Sequence, residues 1–165
     1  MIVVSDSSPL IALARVDSLD LLSELYPLVQ IPTEVYNEVV IEGAGLPGAL
    51  QVAGAAWIQV TPVRNTERLR SAIGDTGFGR GEVAVVHLAQ ELGAQVVLMD
   101  ERRARRYAED AGLITFGCIG ILEMLYRKGV VTDLRQLYER LLAQDFRIDA
   151  KTLEATLGKF GLKPI

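Results

Sequence analysis

Asp6 and Asp100 are the two acids whose positions ask for a chemical explanation. Each comes at the end of an apolar run without polar alternation, "IVVS" and "QVVLM", the pattern of a strand buried on both faces. In open α/β sheets ligands bind outside the carboxyl ends of the strands, so both acids are predicted at the ligand-binding rim. Carboxylate oxygens are the donors that hard divalent cations prefer. The chain carries one histidine, His87, and one cysteine, Cys118, so an all-carboxylate site is the one it can best build.

Each acid has a structural reading beside the chemical one. Asp100 opens "DERRARRYAEDAG", and an Asp at a helix start caps free backbone amides. Asp6 has no such task in sequence, because Ser8 followed by Pro9 reads as the N-cap and first residue of "PLIALAR". Glu82 begins a helix, where the dipole favours an acid, yet it shares a stripe with Val86 and Ala89 and so faces the packed side. Glu91 aligns with His87 on another stripe, and His87 reads as an ordinary helix residue. Glu34, Glu38 and Glu42 recur at four-residue spacing, the pattern of a solvated face, so spacing alone leaves Glu38 open.

Arg102, Arg103, Arg105 and Arg106 crowd the first turns beside Asp100. Cations there oppose the helix dipole, and the pairs Arg105–Glu109 and Arg106–Asp110 have the weaker orientation. A phosphate-binding role is expected for one or two of the four, with Arg102 and Arg103 the candidates, and Arg80, in the loop before Glu82, is a second candidate. "GFGRG" lacks the Lys-Ser/Thr of a nucleotide-binding loop and follows a helix, so it is not read as one.

The elements that must position these residues alternate. Strands are expected at "IVVS", "LVQI", "WIQV", "QVVLM" and "LITF". Between them lie helices at "PLIALAR", "SLDLLSEL", "PTEVYNEVVIEG", "RNTERLRSAI", "EVAVVHLAQELG" and "DERRARRYAEDAG". "CIGILEMLYRKG", "DLRQLYERLLAQ" and "DAKTLEATLG" complete the chain as helices. This order predicts a three-layer α/β/α fold with a central, mainly parallel sheet. A single domain over residues 1–165 is expected, with the helices from about 117 to 165 packing on it. Leu134, Leu137, Leu141 and Leu142 could face the core or a second copy.

Composition narrows the function. With a formal net charge of −4 the chain is not a general basic nucleic-acid binder, so any phosphate affinity is local. One cysteine excludes an internal disulfide and fits a reducing, cytoplasmic compartment. The N-terminus is apolar but lacks a basic leader, a poor signal peptide. The uncharged segment from Gly43 to Val63 contains Pro47, Pro62 and several glycines, and reads as a short helix, a turn and a strand instead of a membrane span. Trp57, at the start of that strand, is expected to pack rather than to stack on a base.

Four segments in register, "VSDSSPLIALA", "IPTEVYNEV", "GRGEVAVVHLA" and "VVLMDERRARRYAEDAGL", resemble a PIN-domain protein. The likeness is to the compact prokaryotic branch related to the VapC-type toxins of toxin–antitoxin pairs, and it runs on through "GCIGILEMLYRKG". It implies that Asp6, Glu38, Glu82 and Asp100 form the catalytic cluster holding Mg²⁺ or Mn²⁺, with Ser7 supporting it. It further implies hydrolysis of RNA phosphodiester bonds to 5′-phosphate and 3′-hydroxyl ends, an antitoxin protein as partner, and a homodimer. Two departures stand out: Glu82 occupies a position where many such nucleases have Asp, and Glu101 one where this branch often has a second Asp. Because relatives of this branch lose individual acids, a silent RNA- or protein-binding module of the same fold is the alternative. A dehalogenase-type phosphatase would need a second Asp where the chain has Ser8.

Overall fold

Five short parallel strands form one sheet in the computed structural model, which describes residues 1–165. They are β1 Val3–Ser5, β2 Val29–Ile31, β3 Ile58–Val60, β4 Val96–Leu98 and β5 Ile114–Phe116, in the spatial order β3-β2-β1-β4-β5. β1 and β4 are buried at every residue, which is why their sequences are continuous apolar runs. The outer strands are partly exposed, and their runs are correspondingly mixed. Val3, Val4 and Ser5 pair with Val96, Val97 and Leu98, and Val4 also pairs with Gln30.

The chain builds outward from β1 to β3, then returns to lay β4 on the other side of β1. The gap between β1 and β4 is therefore the topological switch point, where the loops leaving neighbouring strands diverge and open a crevice.

Helices cover both faces, giving a three-layer α/β/α architecture. They are α1 Ser7–Arg15, α2 Thr33–Tyr36, α3 Ala49–Gly54, α4 Thr66–Thr76, α5 Arg80–Leu92, α6 Arg102–Asp110, α7 Cys118–Arg127, α8 Leu134–Ala143 and α9 Ala150–Lys159. α5 lies against β1 and β4 with α2 and α4 beside it, while α7 packs on β5, α1 and α8. One hydrophobic cluster runs through these layers and includes Leu134, Leu137 and Leu141 of α8 with Leu153 and Leu157 of α9. Three of the four α8 leucines are thus core, and Leu142 is exposed.

Several elements differ locally from the sequence expectation. "LDLLSE" is a 3₁₀ helix, and α2 widens after one turn into a π turn over Asn37–Ile41, where the Glu42 amide reaches back five residues to the Asn37 carbonyl. α4 extends to Thr76, leaving a short connection, and Arg80 is the first residue of α5 instead of a loop residue. α1 begins at Ser7, so Asp6 and not Ser8 occupies the N-cap position. The stretch from Gly43 to Val63 contains α3 and β3, and no helix is long and apolar enough to cross a membrane.

Candidate active site

β1 and β4 deliver Asp6 and Asp100 to the switch point. The Asp6 amide donates to the Leu98 carbonyl at 2.8 Å, extending the ladder to the residue that carries the acid. Although Asp6 stands at the N-cap of α1, its side chain makes no capping hydrogen bond. Only 3 % of its surface is exposed. Burial, with the charges of Glu82, Glu38 and Asp100 behind it, pushes its pKa up to about 7 against the pull of the Ser7 backbone amide. Asp6 is the hub at which the fields of the other three acids meet.

Asp100 is not the cap of α6 that its position suggested. Glu101 does that work, accepting from the amides of Arg103 at 3.2 Å and Ala104 at 2.8 Å. Asp100 turns inward, and its Oδ1 accepts from the Cys118 amide at 2.6 Å, where α7 begins. The close approach depends on Gly117, since a Cβ there would lie 2.8 Å from that oxygen. The second oxygen, Oδ2, is buried without a partner. Burial raises the Asp100 pKa, opposed by the Cys118 amide and the Arg105 guanidinium.

Glu38 and Glu82 reach the site from the helical layer. They line a cleft of about 480 Å³ with Asp6, Ser7 and Arg80, and no apolar residue takes part. Gly81 lets α5 approach: a Cβ there would lie 3.1 Å from Glu38 Oε2 and 3.5 Å from Asp6 Oδ1. Burial raises the Glu82 pKa, the Gly79 backbone lowers it, and Glu101 and Glu38 raise it while Arg103 lowers it. The two carboxylates therefore sit near the acid already crowded at the end of β1.

Glu34, Asn37 and Glu42 line the same cleft, and Glu34 Oε1 is a second buried oxygen without a partner. Spacing alone gives this stripe the pattern of a solvated face, and only the resemblance singles out Glu38. The signal that could have found it is the spacing itself, because residues sharing a stripe with Glu38 share its destination. The π turn lies within the same stretch, and such turns are frequent at functional sites.

The remaining candidates divide. Arg102 and Arg103 line a larger groove that contains Asp100, and the Arg103 guanidinium also lies 5.4 Å from the Phe78 ring centroid. Arg80 lies in the acidic cleft. Arg105 and Glu109 do not pair directly; both bond to the Thr115 hydroxyl, Arg105 Nε at 3.1 Å and Glu109 Oε1 at 2.6 Å. His87 is buried in α5, and burial lowers its pKa. Glu91 accepts from the amides of Arg64 and Asn65 and so anchors the start of α4. Trp57 packs against the hydrophobic cluster.

As the side chains lie, no three His, Cys, Asp or Glu groups stand close enough together to hold one ion. The donor chemistry nonetheless fits a hard divalent cation. All four candidate groups are carboxylates, Asp100 Oδ2 is buried without a donor, and Asp6 is driven toward its protonated form by burial and neighbouring charge. Two unit charges 4 Å apart repel by about 4 kcal/mol at an effective dielectric near 20, a cost that a cation removes.

The family model described as "DUF3368: PIN domain" matches residues 2–162. No curated protein matches the chain.

Proposed function

The chain belongs to the PIN-domain family, a family of nucleases in general, and on that premise we propose that it is a metal-dependent endoribonuclease, the toxin component of a toxin–antitoxin pair. The observation that carries the reading is the buried Asp6 at the switch point, its pKa raised first by burial and then by the charges of Glu82, Glu38 and Asp100. Asp6, Glu38, Glu82 and Asp100 would hold Mg²⁺ or Mn²⁺, and Ser7 lines the cleft with the first three. Such an ion supplies Lewis-acid chemistry, offsetting charge that develops on the scissile phosphate and making water a better nucleophile. The chain brings the specificity: the Cys118 backbone amide holds one Asp100 oxygen and leaves the other free, Gly81 leaves room for Asp6 and Glu38, and Arg102, Arg103 and Arg80 offer cations to phosphate. The same reading brings RNA as substrate, a cognate antitoxin and a second copy as protein partners, and the cytoplasm as compartment.

One observation favours a second reading, a catalytically silent module that binds RNA or protein: no three acids lie within ligating reach together. Cleavage of a single-stranded RNA separates the two. Activity is expected with millimolar Mn²⁺ or Mg²⁺, to vanish in EDTA, and to return when the ion is restored. Asp100→Asn is expected to be inactive while retaining an oxygen for the Cys118 amide. The ion is also expected to raise the melting temperature, since a ligand at a hundred times its Kd stabilises by about 2.7 kcal/mol. Absence of cleavage with every divalent ion would leave the silent module.

A further inference from the structure

Asp100 lines a different concavity from the acidic cleft of Asp6, Glu38 and Glu82, a groove of about 1230 Å³ between α1, α6 and the connection from α8 to α9. Pockets for single small ligands run to about 1,000 Å³, so this one has room for a chain. Six arginines line it: Arg15, Arg102, Arg103, Arg105, Arg106 and Arg147. None of them forms an ion pair, for the ion pairs of the protein are Arg135–Glu139, Arg140–Asp17 and Lys159–Glu123.

Four of the five acids of the groove are already held in hydrogen bonds. Glu101 caps α6, Asp149 caps α9 by accepting from the Thr152 amide at 3.0 Å, Glu109 accepts from Thr115, and Asp100 accepts from Cys118. Asp145 is the remaining one, exposed on the turn after α8. Six guanidinium groups thus face five carboxylates, four of them held in hydrogen bonds, which leaves the groove a small positive balance in a protein whose formal net charge is −4. Their planar forks suit the paired oxygens of phosphate. Apolar side chains between them, Ile11, Ile119, Phe146 and Ile148, offer surface to bases and riboses.

We infer that this groove holds the sugar–phosphate backbone of single-stranded RNA on one side of the scissile phosphate only. Arg15 and Arg147 act as the outer clamp. The inference rests on the nuclease reading for the identity of the polyanion. The one-sidedness follows from the balance of charge on the flanks: in the groove six arginines outnumber the acids, whereas in the cleft Arg80 alone stands against Asp6, Glu34, Glu38, Glu42 and Glu82, which repel phosphate. An acidic peptide is the competing occupant. RNA is favoured because the groove leads directly to Asp100, where a bound phosphodiester would meet the site.

The test measures binding apart from cleavage, by fluorescence anisotropy of labelled oligoribonucleotides on the Asp6→Asn protein in EDTA. Replacing Arg15 and Arg147 together with Gln is expected to weaken RNA binding by about 10–100-fold at low salt and to reduce the slope of log K against log salt by about 2. Lys at both positions is expected to restore most of the affinity, and unchanged melting temperatures show that the fold is intact. Shortening the RNA from one end is expected to weaken binding much more than shortening it from the other. Unchanged affinity and slope in the double Gln variant, or equal losses from both ends, overturn the inference. So does a poly-Glu peptide whose binding depends on the two arginines when that of RNA does not. RNA held in the groove without cleavage by the wild-type protein under any divalent ion would sink the nuclease reading and leave the groove standing. Full kcat/KM in the double Gln variant would do the reverse.

Discussion

Asp6→Asn is expected to lower RNA cleavage by about 10³-fold or more, yet in the absence of divalent ions to make the protein more stable at pH 8. The loss of activity corresponds to about 4 kcal/mol of transition-state stabilisation and follows from removing a buried oxygen ligand at the centre of the acid cluster. The gain in stability follows from proton linkage. An unfolded Asp titrates near 3.8, whereas burial and the neighbouring carboxylates hold folded Asp6 at about 7. Between those values the folded state keeps a proton that the unfolded state has released, so stability falls as pH rises, by up to about 1.4 kcal/mol per unit. Across the whole interval the cost reaches about 4 kcal/mol, and Asn, which does not ionise, is free of it. Glu82 and Asp100 are shifted upward as well and tilt the profile the same way. His87, Glu91 and Asp149 are shifted downward and tilt it the other way. The difference between variant and wild type isolates Asp6. Denaturant melts in EDTA at pH 4, 6 and 8 are expected to show a gain near zero at pH 4 that grows to its maximum above about pH 7. A variant less stable than wild type at pH 8 contradicts the buried-charge account of the site.

Gly117→Ala is expected to reduce cleavage by about 10–100-fold, the usual cost of disturbing a group that orients a metal ligand. The added methyl would stand 2.8 Å from Asp100 Oδ1, 3.5 Å from the Met99 carbonyl oxygen and 3.6 Å from an Arg105 nitrogen. Of these the carboxylate oxygen is closest and ends a rotatable side chain, so Asp100 moves and the backbone stays. Its departure leaves the Cys118 amide without its acceptor, which costs about 1–3 kcal/mol if no water replaces it. Asp100→Asn gives the contrast, since it keeps an oxygen for that amide and is expected to lose cleavage with little change in melting temperature. Measured side by side, the two variants separate the orientation of the carboxylate from its charge. Wild-type cleavage by the Gly117→Ala protein would show that this junction does not position Asp100.

Legibility in the sequence tracked how local each determinant is. β1 and β4 were readable because burial on both faces demands unbroken apolar runs, and the positions of Asp6 and Asp100 followed from those runs alone. The caps were misread. "SDSSP" offers several capping residues in a row, and only the backbone shows that α1 starts at Ser7; next to Asp100, Glu101 has the reach to cap α6 itself. The π turn was invisible, since a period near four leaves room for one widened turn. Glu34 and Glu42 were lost to the solvated-face reading because the approach of α5 at Gly81, a contact between residues far apart in sequence, is what converts that face into a cleft wall. The arginines of α6 were flagged by their conflict with the helix dipole. What no local pattern showed was that Arg15 and Arg147 join them from two other parts of the chain.

Cys118 turns the junction that holds Asp100 into a built-in reporter. It is the sole thiol of the chain and is fully buried, and burial together with the negative charge of Asp100 pushes its pKa up, so in the closed state it resists alkylation. A thiol reagent reaches it when the start of α7 swings away, and the labelling rate then reads the free energy of that local opening without an engineered probe.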